Sequence, residues 1–323
     1  MRKRIHKILV TGGAGFIGSE FVRQASKARW GRVIVVDKLT YAGDLKRLDE
    51  VRKKHDFHKI DICDEKRMDA VFKKERPQVV VNFAAETHVD RSILDAKAFL
   101  RTNIMGTQVL LDKARKYGVE RFVHISTDET FGDIKKGKFS EDSPLKPNSP
   151  YAASKAAADL IIKSYMRTYA FPAVIVRPSN NYGPWQFPEK LIPVIINHAL
   201  RDKKVPVYAE GLNVREWLYV SDCARAVMFL LREAKAGQIY NLGSGHHEKN
   251  IDVVKQILTI LRKPFTLIEF VDDRPGHDWR YALDSSKVRN LGWRPEVSFS
   301  RGLEMTVAWN IANRKWLMDK GRK

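Results

Sequence analysis

The chain has 323 residues, 44% hydrophobic and 30% charged, with a formal net charge of +20 from 58 Lys and Arg against 38 Asp and Glu. That balance fits a soluble globular protein of one or two domains with a large core. Such charge would suit nucleic acid, anionic lipid or anionic small molecules. The basic residues are instead spread along the chain, with small clusters at 2–7, 135–138 and 314–323 and no nucleic-acid module beside them, so they read as a solvated surface.

The opening Met1 to Lys7 is charged like the start of a signal peptide. Only Ile8, Leu9 and Val10 follow before Thr11-Gly12-Gly13, too short an apolar run for export or a membrane span. Cys63 and Cys223 stand in no metal-ligand spacing, and a reducing cytoplasm is the simplest compartment.

Lys7 to Val10 reads as a buried strand, and Thr11 to Gly18 opens a helix running to about Arg29. The next strand, Arg32 to Val36, ends at Asp37. Gly-x-x-Gly-x-x-Gly between strand and helix, with an acid about twenty positions later, is the pattern of a dinucleotide site. Gly12 allows a tight turn, Gly15 lets a pyrophosphate approach the N–H groups at the helix start, and Gly18 permits close packing of helix on strand. Phe16 and Ile17 between them are further cofactor candidates. Asp37 can accept hydrogen bonds from both adenosine ribose hydroxyls and repel a ribose phosphate, which favours NAD over NADP. Lys38 beside it is the kind of basic residue that accommodates that phosphate in other proteins.

Phe57 to Ile62 reads as a strand with the cofactor candidates Asp61 and Ile62 at its end, Glu65 to Glu75 as an amphipathic helix, and Val79 to Phe83 as a strand buried on both faces. This alternation predicts an α/β fold with a doubly wound parallel Rossmann sheet. The last of these strands leads into Ala84 and Ala85, small enough for a cofactor to lie against the backbone, at the carboxyl end where such sheets bind ligands. Asn103 to Tyr117 follows as a helix.

Arg121 to Ser126 is a strand that runs into Thr127, Asp128 and Glu129. Strand alternation would point the two carboxylates apart, so the chain must leave strand geometry by Asp128. Further on, Ser149 can cap a helix with Pro150 in its first position, which sets Tyr151 and Lys155 on one face. A phenol, with pKa about 10, is a poor base until positive charge stabilises its phenolate, and Lys155 is placed to supply that charge. Taken alone, the same spacing fits an ordinary surface helix; the glycine loop and the carboxylates decide between the two.

Beyond lie a strand from Ala173 to Arg177, an irregular segment from Asn180 to Pro193, a strand from Val205 to Tyr208, a helix to about Lys235, a strand from Gln238 to Leu242, and a C-terminal helix from about Ser300. The expected division is a Rossmann domain of 1–178 plus about 213–245, interleaved with a smaller α/β substrate-binding lobe of about 179–212 plus 246–323. His246-His247 has no further ligand at suitable spacing, and no metal is expected.

With Thr11 to Gly18, Ser126 to Glu129 and Tyr151 to Lys155, the chain resembles the extended short-chain dehydrogenase/reductases over nearly its whole length. Ser126-Thr-Asp-Glu129, Ala84 to Ser92, Asn180 to Pro193 and Arg274-Pro-Gly-His277 resemble the dTDP-glucose 4,6-dehydratase family within that group. The resemblance implies hydride transfer from sugar C4 to NAD, elimination of water across C5 and C6, and return of hydride to C6. It implies that Tyr151 takes the C4 hydroxyl proton and that Lys155 lowers the Tyr151 pKa and holds the nicotinamide ribose. Thr127 would position the C4 oxygen, Glu129 remove the C5 proton and Asp128 protonate the departing hydroxyl.

For the diphosphate the resemblance assigns Arg215, Arg274 and His277, with His88, Asn181, Glu189, Lys190, Leu191 and Asn250 lining the nucleotide-sugar site; Pro206 and Tyr208 are candidates to contact the base, with core packing the alternative for both. It also implies a cytoplasmic homodimer formed through the Asn103 and Tyr151 helices, without nucleic-acid or membrane partners. Thr130-Phe131, Trp185, Glu216 and Trp279 depart from the family pattern and bear on base and sugar preference. The competing readings are a UDP-sugar 4,6-dehydratase, a nucleotide-sugar 4-epimerase or decarboxylase, and, in a different class, a noncatalytic NAD-binding regulator.

Overall fold

The computed structural model describes residues 5–273 and 275–321. Its strands, in chain order, are β1 (Lys7–Thr11), β2 (Arg32–Asp37), β3 (His55–Lys59), β4 (Val79–Asn82), β5 (Arg121–Ile125), β6 (Ala173–Pro178), β7 (Asn180–Tyr182), β8 (Val205–Tyr208), β9 (Val214–Tyr219), β10 (Gln238–Leu242), β11 (His247–Lys249) and β12 (Ile268–Val271). Seven of them form one sheet in the order β10-β6-β5-β4-β1-β2-β3, parallel throughout. The order reverses between β1 and β4, which makes their carboxyl ends the ligand-binding crevice.

Both faces of this sheet are covered, and the strand sequences show it. Ile8 and Val10 of β1 pack with Val33, Val35, Val79 and Val81 on one face. Leu9 packs with Ile34, Val36 and Val80 on the other. The first face is covered by helices Phe16–Lys27 and Val220–Glu233, the second by Glu65–Glu75, Thr107–Lys116 and Pro150–Tyr169. Side chains alternate across a strand, so a continuous apolar run supplies both cores at once.

The smaller lobe has a three-stranded sheet, β11-β9-β7, a parallel pair, β12-β8, and helices Leu191–Ala199, Asn250–Ile260, Phe299–Ala312 and Arg314–Lys320. Thus the 180–193 segment, expected to be irregular, contains a strand and the start of a helix, and the stretch before Val220 is the central strand of this sheet. β9 is a seam between the lobes. Trp217 and Tyr219 pack into the smaller core, whereas Leu218 between them packs into the core of the large sheet. A domain boundary drawn near 213 therefore runs beside a strand shared by both cores. Val288 and Trp293 also pack on the large sheet.

Two element ends differ from expectation for local reasons. β3 stops at Lys59 instead of continuing to Ile62, because a turn follows in which Cys63 N donates to Asp61 Oδ1 (2.9 Å) and Asp64 N to Asp61 O (2.9 Å). The helix expected from Asn103 is already helical from Lys97, and Leu100–Gly106 forms a wide π-helical stretch. From it the Asn103 side chain reaches Glu86 N (2.9 Å), Glu86 O (3.0 Å) and Ser154 Oγ (2.8 Å).

Candidate active site

The glycine loop has the shape of a phosphate cradle. Gly12 has φ +68°, and a Cβ there would lie 2.5 Å from Ala84 N; at Gly18 it would lie 2.3 Å from Gly12 O. The helix that begins at Phe16 has Gly15 as its N-cap, no side-chain cap and no acidic residue in its first turn. Its first N–H groups and positive dipole end are left to an anion. A cavity of about 260 Å³ runs from Gly12, Gly15, Phe16, Ile17 and Gly18 to Tyr151 and Lys155. An adjoining one of about 90 Å³ is lined by Asp37, Lys38, Ile62, Ala84 and Ala85. Asp61 does not line it; Ile60 and Ile62 on either side do. Asp37 accepts from Ala14 N (3.0 Å) and Leu39 N (2.8 Å). Burial pushes its carboxyl up, and those N–H groups oppose the shift. Lys38 turns to Glu86 Oε1 (3.2 Å) and Thr102 Oγ1 (3.1 Å), a second acid and a hydroxyl that occupy its ammonium. These residues fit an adenosine diphosphate whose ribose carries no phosphate.

At the carboxyl end of β5 the chain does leave strand geometry. Thr127 is extended and accepts from Glu129 N at 3.3 Å, capping a single 3₁₀ turn, Asp128–Phe131. Asp128 is 2% exposed. Its Oδ1 accepts from the Thr127 hydroxyl at 3.2 Å, and its Oδ2 has no hydrogen-bond partner among the described residues. Burial first, then the charges of Glu129 and Glu216, push the Asp128 carboxyl well above the usual carboxylate range. Arg215 and the Thr127 hydroxyl oppose the shift, and the balance favours the protonated form.

Ser149 caps the next helix by accepting from Ala152 N at 3.1 Å, with Pro150 in the first position. This fixes Tyr151 at the cavity wall, where burial first and then Glu129 push its phenol up while the nearby Thr127 hydroxyl pulls the other way. Lys155 is turned to Ile125 O (2.7 Å) and His124 Nε2 (3.3 Å), and burial brings its amine down to about 8 against the pull of Asp159. Burial, Glu129 and Thr127 are the influences that bear on the Tyr151 phenol here.

A second cavity, about 320 Å³, opens between the lobes and is lined by His88, Glu189, Lys190, Leu191, Pro206, Tyr208, Arg215, Asn250 and His277. Glu129, Asn180, Glu189 and Lys190 line both this cavity and the 260 Å³ one, so Glu129 sits at their junction with Asp128 on the 260 Å³ side. Arg215 is held from behind by Asp278 O (2.8 Å) and Val214 O (2.9 Å) and lies 4.3 Å over the Tyr281 ring. Lys190 donates to Thr87 O (3.0 Å). Tyr208 is 40% exposed, which excludes a core-packing role for its ring. Asn181 lines the 260 Å³ cavity only, and Arg274 lies outside the described residues.

The departures from the family pattern, Thr130, Phe131, Trp185, Glu216 and Trp279, line neither cavity. Glu216 accepts from Gly245 N (2.7 Å) and Leu283 N (3.1 Å) and holds a loop. His246 stacks on Phe299 at 4.6 Å, and among the described residues no cluster of three or more His, Cys, Asp or Glu is arranged for a metal.

Sequence reading missed Asn180 and Arg47. Asn180 Oδ1 is buried without a partner among the described residues at the junction of the cavities. Arg47, 1% exposed, donates to Ala14 O (2.9 Å) and Trp185 O (3.0 Å), tying the glycine loop to the smaller lobe. Asn180 carried a signal as the first residue of the 180–193 segment, which has several amides; Arg47, among many basic residues, carried none.

Residues 9–306 match the model of the GDP-mannose 4,6 dehydratase family. The chain is 48% identical to a dTDP-glucose 4,6-dehydratase of Neisseria meningitidis serogroup B, over 97% of this chain and 95% of the relative. It is 47% identical to that of Streptomyces niveus, over 96% and 94%. The crystal structure of the Streptomyces venezuelae dTDP-glucose 4,6-dehydratase DesIV, solved with NAD bound, superposes with a TM-score of 0.95 at 45% identity, covering 97% of this chain and 99% of that one. A UDP-glucose 4-epimerase of Thermotoga maritima superposes with a TM-score of 0.90 at 32% identity, covering 95% and 99%.

Proposed function

Because the chain belongs to the dTDP-glucose 4,6-dehydratase family, we propose that it converts dTDP-glucose to dTDP-4-keto-6-deoxyglucose by an NAD-dependent dehydration. NAD, when bound, accepts the hydride from C4 and returns it to C6, so no net oxidation results. The glycine loop and Asp37 hold the cofactor, and the Arg215 cavity holds the nucleotide diphosphate. Tyr151, with Thr127 beside it, takes the C4 hydroxyl proton. Once C4 is a ketone the C5 proton becomes acidic, and Glu129 at the junction of the cavities removes it. Hydroxide is a poor leaving group, so the C6 hydroxyl must be met by an acid, and Asp128 supplies that proton.

The observation that carries this reading is Asp128. A carboxyl kept protonated by burial beside Glu129 serves a dehydration, whereas a 4-epimerase needs only Tyr151, Lys155 and the cofactor. Incubation of the purified protein with dTDP-glucose, UDP-glucose and UDP-N-acetylglucosamine, followed by product mass, tests it. Loss of one water from dTDP-glucose without added reductant is expected. Unchanged mass with an altered sugar configuration would make the protein an epimerase, and faster turnover of a UDP-sugar would reassign the nucleotide.

The chain also works as a homodimer. Leu94, Leu100, Met105 and Leu160 are 87%, 46%, 55% and 56% exposed, an apolar strip along the helical segments 89–106 and 150–169 that supports association of two copies. A monomer by light scattering would refute this. The free thiols of Cys63 and Cys223 suit the cytoplasm, and no helix among the described residues is long and apolar enough to cross a membrane.

A further inference from the structure

Asp37, Lys38, Glu86 and Thr102 together line the cavity of about 90 Å³ beside the glycine loop. Lys38 follows directly on the acid that ends β2, where a basic residue can accept a ribose 2′-phosphate. Its ammonium is turned to other partners: Glu86 Oε1 at 3.2 Å, Thr102 Oγ1 at 3.1 Å and, more distantly, Asp61 Oδ2 at 4.0 Å. An ammonium has three donors, so two hydrogen bonds and a nearby carboxylate leave it little to offer a further anion.

Those partners are held by the π-helical stretch Leu100–Gly106. Consecutive residues of it serve different groups. Arg101 Nη2 lies 3.5 Å from Asp61 Oδ2, Thr102 presents its hydroxyl to Lys38, and the Asn103 side chain bonds both Glu86 N (2.9 Å) and Glu86 O (3.0 Å). Asn103 is buried, so the backbone that carries the Glu86 carboxylate is fixed on both sides. Gly106 lets the stretch press on the cavity: a Cβ there would lie 2.5 Å from Cδ1 of Ile62, itself a lining residue. A π-helical turn is rare and recurs at functional sites, and the chemistry proposed above gives this one no task. Around it Asp37, Asp61 and Glu86 set three carboxylates against the cations of Lys38 and Arg101. A phosphate monoester would bring about 1.5 to 2 further negative charges into that surplus.

We propose that Glu86 and Thr102 are positioning residues that set the preference for NAD over NADP, by holding the Lys38 ammonium in an ion pair and so denying it to a ribose 2′-phosphate. Asp37 does not suffice for this. Its two oxygens already accept from Ala14 N and Leu39 N, and a free lysine one residue away would offset its charge. Glu86 removes that offset. With Lys38 free, the neighbouring acid and base would tolerate either ribose; with Lys38 bound to Glu86, Asp37 faces the ligand uncompensated. Selectivity then depends on two segments, 84–86 and 100–106, that lie far in sequence from the acid at the end of β2.

Equilibrium dialysis decides this without any sugar. The full-length protein is dialysed against equal concentrations of NAD and NADP, and the dinucleotides released on denaturation are separated and quantified. The wild type should hold NAD in large excess. Glu86→Gln keeps the length of the side chain and an acceptor for Lys38 but removes the charge, and the bound NADP/NAD ratio should rise about tenfold or more, as loss of one charge-assisted hydrogen bond implies. In a Lys38→Met background the same substitution should lose most of that rise. Thr102→Val exchanges the hydroxyl for a methyl; it should raise the ratio by a smaller factor, and it decides the matter if Glu86→Gln does not fold. Comparable amounts of the two dinucleotides on the wild type would overturn the proposal, as would an equal rise with and without Lys38. So would an unchanged ratio in the variants, because a merely structural role would weaken both dinucleotides alike. Absence of turnover on dTDP-glucose would sink the dehydratase reading while leaving these ratios standing.

Discussion

Asp128→Asn separates the acid from everything else Asp128 does. One oxygen accepts from Thr127 and the other has no partner among the described residues. An Asn can keep its Oδ1 on Thr127 and set its NH₂ where Oδ2 was, so no hydrogen bond is lost and the pocket keeps its shape. What disappears is the proton. General acid catalysis contributes about 10²–10⁴-fold, equivalent to roughly 3–5 kcal/mol of barrier. Water loss from dTDP-glucose, followed by mass spectrometry, should slow by that factor, while oxidation at C4 persists and reduced nicotinamide absorbance accumulates on mixing.

Stability should move the opposite way. Unfolded Asp binds its proton only below about pH 3.9, whereas the native Asp128 carboxyl, raised by burial, binds it to higher pH. Between those two values the wild type loses stability as pH rises, and Asn, which has no proton to lose, does not. Denaturant unfolding should therefore find Asp128→Asn more stable than wild type at neutral pH, with the advantage vanishing in acid. Wild-type rates of water loss in this variant would refute the acid assignment; reduced stability at neutral pH would refute the buried, protonated carboxyl.

Gly12→Ala should purify without NAD, as read from its absorbance spectrum, because the new Cβ would lie 2.5 Å from Ala84 N at φ +68°. Arg215→Lys should raise KM for the nucleotide sugar well beyond its effect on kcat in steady-state kinetics, since lysine has no planar fork to divide between the Asp278 carbonyl and a phosphate. Arg177→Met leaves the Asp159 carboxylate, 0% exposed, without its ion pair; chemical denaturation should show a loss of about 3–5 kcal/mol. Glu129→Gln should stop exchange of the C5 proton with solvent deuterium, followed by NMR, and should lower the phenol pKa of Tyr151, which the Glu129 charge raises.

Much of this molecule is legible where a local rule acts alone. The Ser149 cap and Pro150 fixed the start of their helix to the residue, and the glycine loop could be read because it follows a strand, opens a helix and meets Asp37 about twenty positions later. Asp128 was expected to leave the strand, and it does, because alternation forbids two neighbouring carboxylates on one side. The smaller lobe was harder because its strands are short and their partners distant: β7 is three residues long and pairs with β9 across a helix and a further strand. Asn180 and Asn181 look like loop amides until that pairing exists. Arg47 shows the same limit from another side. Its donors meet the backbone carbonyls of residues 14 and 185, and a carbonyl acceptor marks no particular partner in the sequence. The electrostatics at Tyr151 depended on where the Lys155 amine turns, which i, i+4 spacing does not determine.

The alternating side chains of β9 also bear on how the protein comes apart. Leu218 belongs to one core and its neighbours Trp217 and Tyr219 to the other, so neither lobe can melt while leaving the other's contacts intact. Local opening follows boundaries across which few buried contacts run, and here a single strand spans the boundary. Heat or denaturant should therefore meet one cooperative unit, with the nucleotide-sugar cavity lost in the same transition as the parallel sheet. Freedom to open for substrate is then left to the exposed segments around the cleft and denied to any hinge through β9.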